Sequence, residues 1–142
     1  MTTIYVFGSN RAGRHGKGDA LTARLRHGAI YGQGEGLQGR SYGIPTKDGF
    51  LRPLSLPDVA QGVARFLAFA HAHPELTFDV QGVGCGLAGF LTAQIAPLFS
   101  DAPPNCYLEP RFVAHLRDLG VEKKAGPPPS AQVDAGQATL DF

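Results

Sequence analysis

The chain is 142 residues long, 43% hydrophobic and 18% charged, with a net charge of +1. That length predicts one domain of about 120 residues, enough to bury an α/β core, followed by a tail. No apolar run approaches the ~20 residues of a membrane span, and no signal peptide is visible behind Met1-Thr2-Thr3. Cys85 and Cys106 make neither a disulfide framework nor a metal-ligand spacing. A cytoplasmic protein with free thiols, no membrane partner, no metal and no cofactor is the expectation.

In chain order, Thr3–Phe7 reads as a buried strand and Ala20–His27 as a short helix. Residues 32–39, Gly-Gln-Gly-Glu-Gly-Leu-Gln-Gly, read as a mobile loop, and Ser41–Pro45 as a short strand. Leu56–His73 is the clearest helix. Ser55 can cap it, Pro57 sits in its first turn, and Val59, Val63, Phe66, Leu67 and Ala70 share one face. An apolar run from Leu76 to Val83 reads as a strand, and Leu91–Phe99 as a helix. Cys106–Leu108 and Pro110–Leu119 are the last strand and helix. Strands alternating with helices predict an α/β fold with a mixed, mostly parallel sheet between helical layers. The domain is expected over residues 1–121, a Pro/Gly-rich linker over 122–136, and a terminal peptide over 137–142.

Two glycine-rich loops each join a strand to a helix. Gly8-Ser9-Asn10-Arg11-Ala12-Gly13-Arg14-His15-Gly16-Lys17-Gly18 is the first, and Val83-Gly84-Cys85-Gly86-Leu87-Ala88-Gly89-Phe90 the second. A strand that opens through such a turn leaves backbone N–H groups pointing outward, an arrangement suited to phosphate. A pair of them suggests a ligand carrying a diphosphate. The first loop is neither a dinucleotide fingerprint nor a Walker A loop, because Asp19 interrupts it and no Gly-Lys-Ser/Thr closes it. Residues 1–52 carry eight Lys/Arg and three Asp/Glu, a net of +5, whereas residues 53–142 carry five and nine, a net of −4. This asymmetry suits an anion near the first loop, or else a solvated surface, and is too weak for tight nonspecific DNA binding.

Several side chains carry candidate chemistry, each with a plainer role beside it. Asn10 can meet a ligand or satisfy its own turn. Lys47, at a strand end, can hold phosphate, donate a proton or attack an anomeric carbon, or else pair with Asp48. His15 can stack on a ligand or move protons, or remain a polar loop residue. Cys85 can be a nucleophile or a small buried residue. Asp19 and Glu35 are candidate acids, or helix-terminal and exposed charges.

Taken together, Ser9-Asn10…Gly16-x-Gly18-x-Ala20, Ile44-Pro45-Thr46-Lys47 and Val83-Gly84-Cys85-Gly86-Leu87-x-Gly89 resemble the macrodomain superfamily. The nearest branch holds the terminal ADP-ribose protein glycohydrolases and the DarG antitoxin macrodomains, which remove ADP-ribose from DNA bases. The resemblance spans residues 3–99 and implies a three-layer α/β/α fold with ADP-ribose across the strand ends. It implies that Asn10 sits by the distal ribose and that Gly16 and Gly18 let the first loop approach. Gly84, Gly86, Leu87, Ala88 and Gly89 would offer N–H groups to the diphosphate. Lys47 would act at the anomeric carbon as nucleophile or electrostatic support, with Asn10 the second catalytic residue. Ser9, His15, Ala20, Thr46, Cys85 and Phe90 complete the implied ligand-binding set.

The protein-directed branch carries an aspartate where this chain has Ala88. Its absence favours an ADP-ribosylated nucleic acid over a protein ester. The segment that reads adenine in many macrodomains is not matched, so adenine recognition is expected to come from elsewhere. A non-catalytic ADP-ribose reader and an enzyme acting on a small ADP-ribose derivative are the rival readings. Finally, Gln137-x-x-Leu140-x-Phe142 resembles the C-terminal peptides by which bacterial repair proteins hold the DNA sliding clamp, which implies that partner.

Overall fold

The computed structural model describes residues 2–129; the peptide carrying Gln137, Leu140 and Phe142 lies outside them. Strand β1 (Thr3–Asn10) organises the fold. Successive side chains of a strand point to opposite faces, and β1 uses both. Ile4 and Val6 enter the main core, whereas Phe7 enters a smaller cluster on the opposite face.

Helix α1 (Gly18–Arg26) covers that second face through Ala20 and Ala23. Strand β2 (Gly36–Gln38) then pairs antiparallel with β3 (Ser41–Lys47), which lies parallel to β1. Helix α2 (Leu56–Ala72) follows, with Ser55 accepting a hydrogen bond from Asp58 N at 3.3 Å. Its buried Val59, Val63, Phe66, Leu67 and Ala70 are the face expected from the sequence. Strand β4 (Thr77–Val80) pairs parallel with β1 on its other side. Helix α3 (Thr92–Ile95), a 3-10 turn (Ala96–Phe99), strand β5 (Cys106–Leu108), helix α4 (Pro110–Asp118) and strand β6 (Lys124–Ala125) complete the order.

The result is a mixed α/β fold with a six-stranded, mostly parallel sheet in the order β2-β3-β1-β4-β5-β6, compatible with three α/β/α layers. The layers are unequal. One face carries a phenylalanine cluster in which Phe66 meets Phe78 at 5.3 Å and Phe99 at 6.4 Å, and Phe99 stacks on Phe112 at 5.6 Å. The opposite cluster consists of Phe7, Ala20, Ala23 and Ala29, with Tyr5 packed against it. No described helix is long and apolar enough to cross a membrane.

The structure departs from the sequence expectations at several ends. Strand β1 runs on to Asn10, because Gly8, Ser9 and Asn10 continue the ladder opposite Ile44, Pro45 and Lys47, with a bulge at Ser9/Asn10. The glycine-rich stretch 32–39 is partly strand, and buried Gln38 ties it together. Its Oε1 accepts from Ile30 N at 2.8 Å, and its Nε2 donates to Gln33 O at 3.1 Å. Gly34 permits this fold: a Cβ there would lie 2.4 Å from Asn10 O. The strand expected up to Val83 stops at Val80. The helix expected over 91–99 is one α turn followed by a 3-10 turn. Residues 124 and 125, read as linker, pair with Tyr107 and Leu108, and Gly126 N donates to Leu108 O at 2.7 Å.

Candidate functional site

Ligands in open α/β sheets sit where neighbouring strands send their connections to opposite faces, beyond the strands' carboxyl ends. Here β1 and β4 are those neighbours: β1 leads to α1 on one face, and β4 leads to α3 on the other. A cleft of about 580 Å³ opens between the two outgoing loops. It falls within the range of about 300–1,000 Å³ usual for small-molecule sites. The glycine-rich loops form its two walls, and Thr46, Lys47 and Leu51 at the end of β3 close one side.

The first wall is shaped by Asn10. Its Oδ1 accepts from Arg14 N and its Nδ2 donates to Arg14 O, both at 2.9 Å. The amide therefore closes a ring with the loop backbone, the plainer of its two sequence readings, and aims Arg14 at the cleft. Beyond it, Gly16, Lys17 and the first turn of α1 line the opening, and no side chain caps that helix. The first N–H groups of a helix have no partner inside it. Among the described residues those of Gly18, Asp19 and Ala20 find none elsewhere.

The second wall is the turn 82–90. Cys85 N donates to Gly82 O at 3.0 Å, Gly89 N to Gly86 O at 3.0 Å, and Phe90 N to Gly84 O at 2.8 Å. Gly84 makes this possible with φ +77, where a Cβ would press on Phe90 at 3.2 Å. The N–H groups of Gly86, Leu87 and Ala88 are left with no acceptor among the described residues. Successive free N–H groups in a turn form an anion-binding concavity. Helix α3 adds nothing to it, since it is only four residues long and Gln94 Oε1 already accepts from Leu91 N at 2.8 Å.

Lys47 stands where β3 ends, opposite Asn10 in the ladder. Its sequence neighbour Asp48 does not pair with it. The Asp48 carboxylate accepts from Phe50 N at 2.8 Å, Arg52 N at 3.0 Å and Arg52 Nε at 3.2 Å. These bonds, the Arg52 N–H first, hold its carboxyl below the ordinary value. Lys47, Arg14 and Lys17 have no ion-pair partner among the described residues. Among the described residues Asp19 is the one carboxylate lining the cleft, and Tyr5 Oη reaches it at 3.4 Å.

Of the residues expected at a ligand, the structure gathers Ser9, Asn10, Gly16, Gly18, Ala20, Thr46, Lys47, Gly84, Gly86, Leu87 and Ala88 around this cleft. Ser9 and Thr46 serve the backbone: the Ser9 hydroxyl donates to Gly34 O, and the Thr46 hydroxyl donates to Ser9 O at 3.2 Å. Four expected residues stand elsewhere. His15 is fully buried, edge-on to Phe7 at 5.3 Å and to Tyr31 at 6.4 Å. Neither ring nitrogen has a hydrogen-bond partner among the described residues. Burial depresses its pKa; the Gln33 backbone raises it in return without closing a bond. Cys85 packs against the main core and burial raises its thiol; the Cys106 thiol is pushed up to about 12. Phe90 also packs on the core, and Gly89 turns the loop back with φ +80.

Sequence reasoning missed Arg14, Lys17 and Leu51 as cleft residues. The first two lie inside the glycine-rich loop and carry its basic excess. Leu51 follows the turn signal Asp48-Gly49, and is the one described non-glycine residue with positive φ, at 63. No group of three or more His, Cys, Asp or Glu side chains that could hold a metal occurs among the described residues. No family model matches this chain, and neither a curated protein nor a solved structure does.

Proposed function

We propose that the protein is a macrodomain-type hydrolase that releases ADP-ribose from a modified macromolecule, nucleic acid rather than protein. The observation that carries this reading is the pairing of two sets of unbonded N–H groups, 18–20 and 86–88, across one cleft beside an unpaired lysine. A diphosphate satisfies both sets at once, and a ribose attached to it extends toward the end of β3. The macrodomain resemblance, Asn10, Lys47 and the Gly-Cys-Gly-Leu turn included, supports the same ligand.

Lys47 is the reacting residue in this reading. Lys47 acts as the nucleophile and gives up a proton as it bonds. Its Nζ bonds to the anomeric carbon as the glycosidic bond breaks, and the electron pair leaves with the base, which takes up the proton that Nζ gives up. Water then displaces the lysine: its hydroxyl goes to the anomeric carbon, giving free ADP-ribose, and its proton returns to Nζ. Asn10 acts through the loop it closes with Arg14 and is a positioning residue. Ala88 leaves the second wall without a carboxylate, which favours a nucleobase linkage over a glutamyl ester.

The test is calorimetric titration with free ADP-ribose, followed by turnover assays on ADP-ribosylated DNA. Saturable binding and release support the proposal; no binding at millimolar ligand removes it. Two observations favour a second reading, a non-catalytic reader. The Asn10 amide is already spent on Arg14, and among the described residues Asp19 is the one acid at the cleft. Binding without turnover on any linkage would select it.

A further inference from the structure

Beside the cleft, the turn from Asp48 to Arg52 presents a structure that the hydrolase reading leaves unused. Phe50 stands at its tip with 80% of its surface exposed. A phenylalanine is seldom left so open, and this one is not loosely held. The Asp48 carboxylate takes the backbone N–H groups on both sides of Leu51, and Leu51 N donates to Asp48 O at 3.1 Å. Leu51 is kept at φ 63, a conformation that costs a branched side chain on the order of 1 kcal/mol or more. The turn therefore spends strain to hold Leu51 at the cleft and Phe50 outward. Arg52 lies over the Phe50 ring at 5.1 Å and covers one side of it.

The charge around this tip is mostly positive: among the described residues the cleft beside it is lined by three basic side chains and one acid, Asp19, and the Asp48 carboxylate is taken up by its own turn. Arg14, Lys17 and Lys47 line the adjoining cleft without ion-pair partners among the described residues. An exposed aromatic ring beside unpaired cations is the pattern that holds a single-stranded nucleic acid, with a base on the ring and phosphates along the cations.

We propose that the Asp48–Arg52 turn is a stacking platform on which Phe50 receives an unpaired base of the strand whose modified nucleotide enters the cleft. This rests on the hydrolase reading for the direction of the strand and extends it to a residue that no part of that reading uses. A duplex does not fit, because its bases already stack on one another and offer no free face. An acidic peptide would use the cations but not the ring.

The experiment is fluorescence anisotropy of the full chain with a labelled, unmodified ten-nucleotide single strand, across a salt series. Binding is expected to weaken as salt rises. Phe50→Ala is expected to weaken it about tenfold and Phe50→Trp to retain it, in line with loss of one base–aromatic stack. Equal affinity for the same sequence as a duplex, equal affinity for an acidic peptide, or unchanged binding by Phe50→Ala would each overturn the platform. So would absence of binding at low salt. The probe carries no ADP-ribose. Failure of the ligand reading therefore appears only in the calorimetric titration, and failure of the platform only here.

Discussion

Asp48 follows Lys47 in the chain yet accepts from Arg52, Nε to Oδ2 at 3.2 Å, and leaves the lysine without a counter-ion among the described residues. A Lys-Asp step at a strand end normally reads as a local, solvated pair. The turn diverts the carboxylate to its own backbone and to the guanidinium, so the lysine is available to whatever occupies the cleft.

Lys47→Ala is expected to abolish release of ADP-ribose from a modified oligonucleotide, by about a hundredfold or more, the scale of losing a principal catalytic group. Free ADP-ribose should still bind, because the backbone donors remain. Single-turnover assays beside calorimetry separate the two, and full turnover in the variant would sink the lysine mechanism.

Gly84→Ala should cost about 1–3 kcal/mol, since its φ of +77 strains any side chain and Phe90 lies in the way. Urea denaturation should show a lower midpoint with an unchanged slope. ADP-ribose affinity should fall as well, because the turn that exposes the N–H groups of 86–88 is displaced. A stable variant with native affinity would contradict this account of the loop.

Stability should fall as acid is added through the histidine range. Burial depresses the pKa of both His15 and His27 below 6.5, with Arg40 and Arg26 adding to the effect at His27. The unfolded chain therefore binds more protons than the folded one, and their contribution is present above pH 6.5 and lost below it. Asp79 acts in the opposite sense, since burial raises its carboxyl and its contribution fades as pH rises. Thermal unfolding between pH 5 and 8 should slope accordingly, and His15→Leu should flatten the slope. An identical pH profile in that variant would count against His15 as a titrating group.

For the C-terminal peptide, which lies outside the described residues, the expected result is selective capture. Full-length protein should be retained on immobilised bacterial sliding clamp, and protein ending at Gly136 should pass through. Equal retention would dispose of Gln137, Leu140 and Phe142 as the binding elements.

What could be read in the sequence was what repeats or has a local cause. The apolar face of α2 recurs at helical spacing, and Ser55 announces its start two residues before Pro57. The two glycine loops were visible because each breaks a strand-to-helix passage. The rest depended on contacts between distant residues. His15 lies between an arginine and a glycine with no periodicity to mark it, and only the approach of Phe7 and Tyr31 makes it a buried pin. Strand β6 exists because β5 offers a free edge, which no property of a Lys-Lys-Ala-Gly segment reveals. The short α3 has a nearer cause: Pro97 opens the 3-10 turn that replaces it.

The two walls of the cleft are anchored unequally. The loop 82–90 leans on the phenylalanine side of the sheet, through Phe90 and Ile95. The loop 10–18 continues into a helix whose buried residues are two alanines. The first wall is held instead by its own contacts, with Asn10 closed on Arg14 and His15 buried against Phe7. The width of the opening between the walls is therefore set from two separate cores, so that a change at Phe7 on one face or at Ile95 on the other reaches the cleft by a different wall.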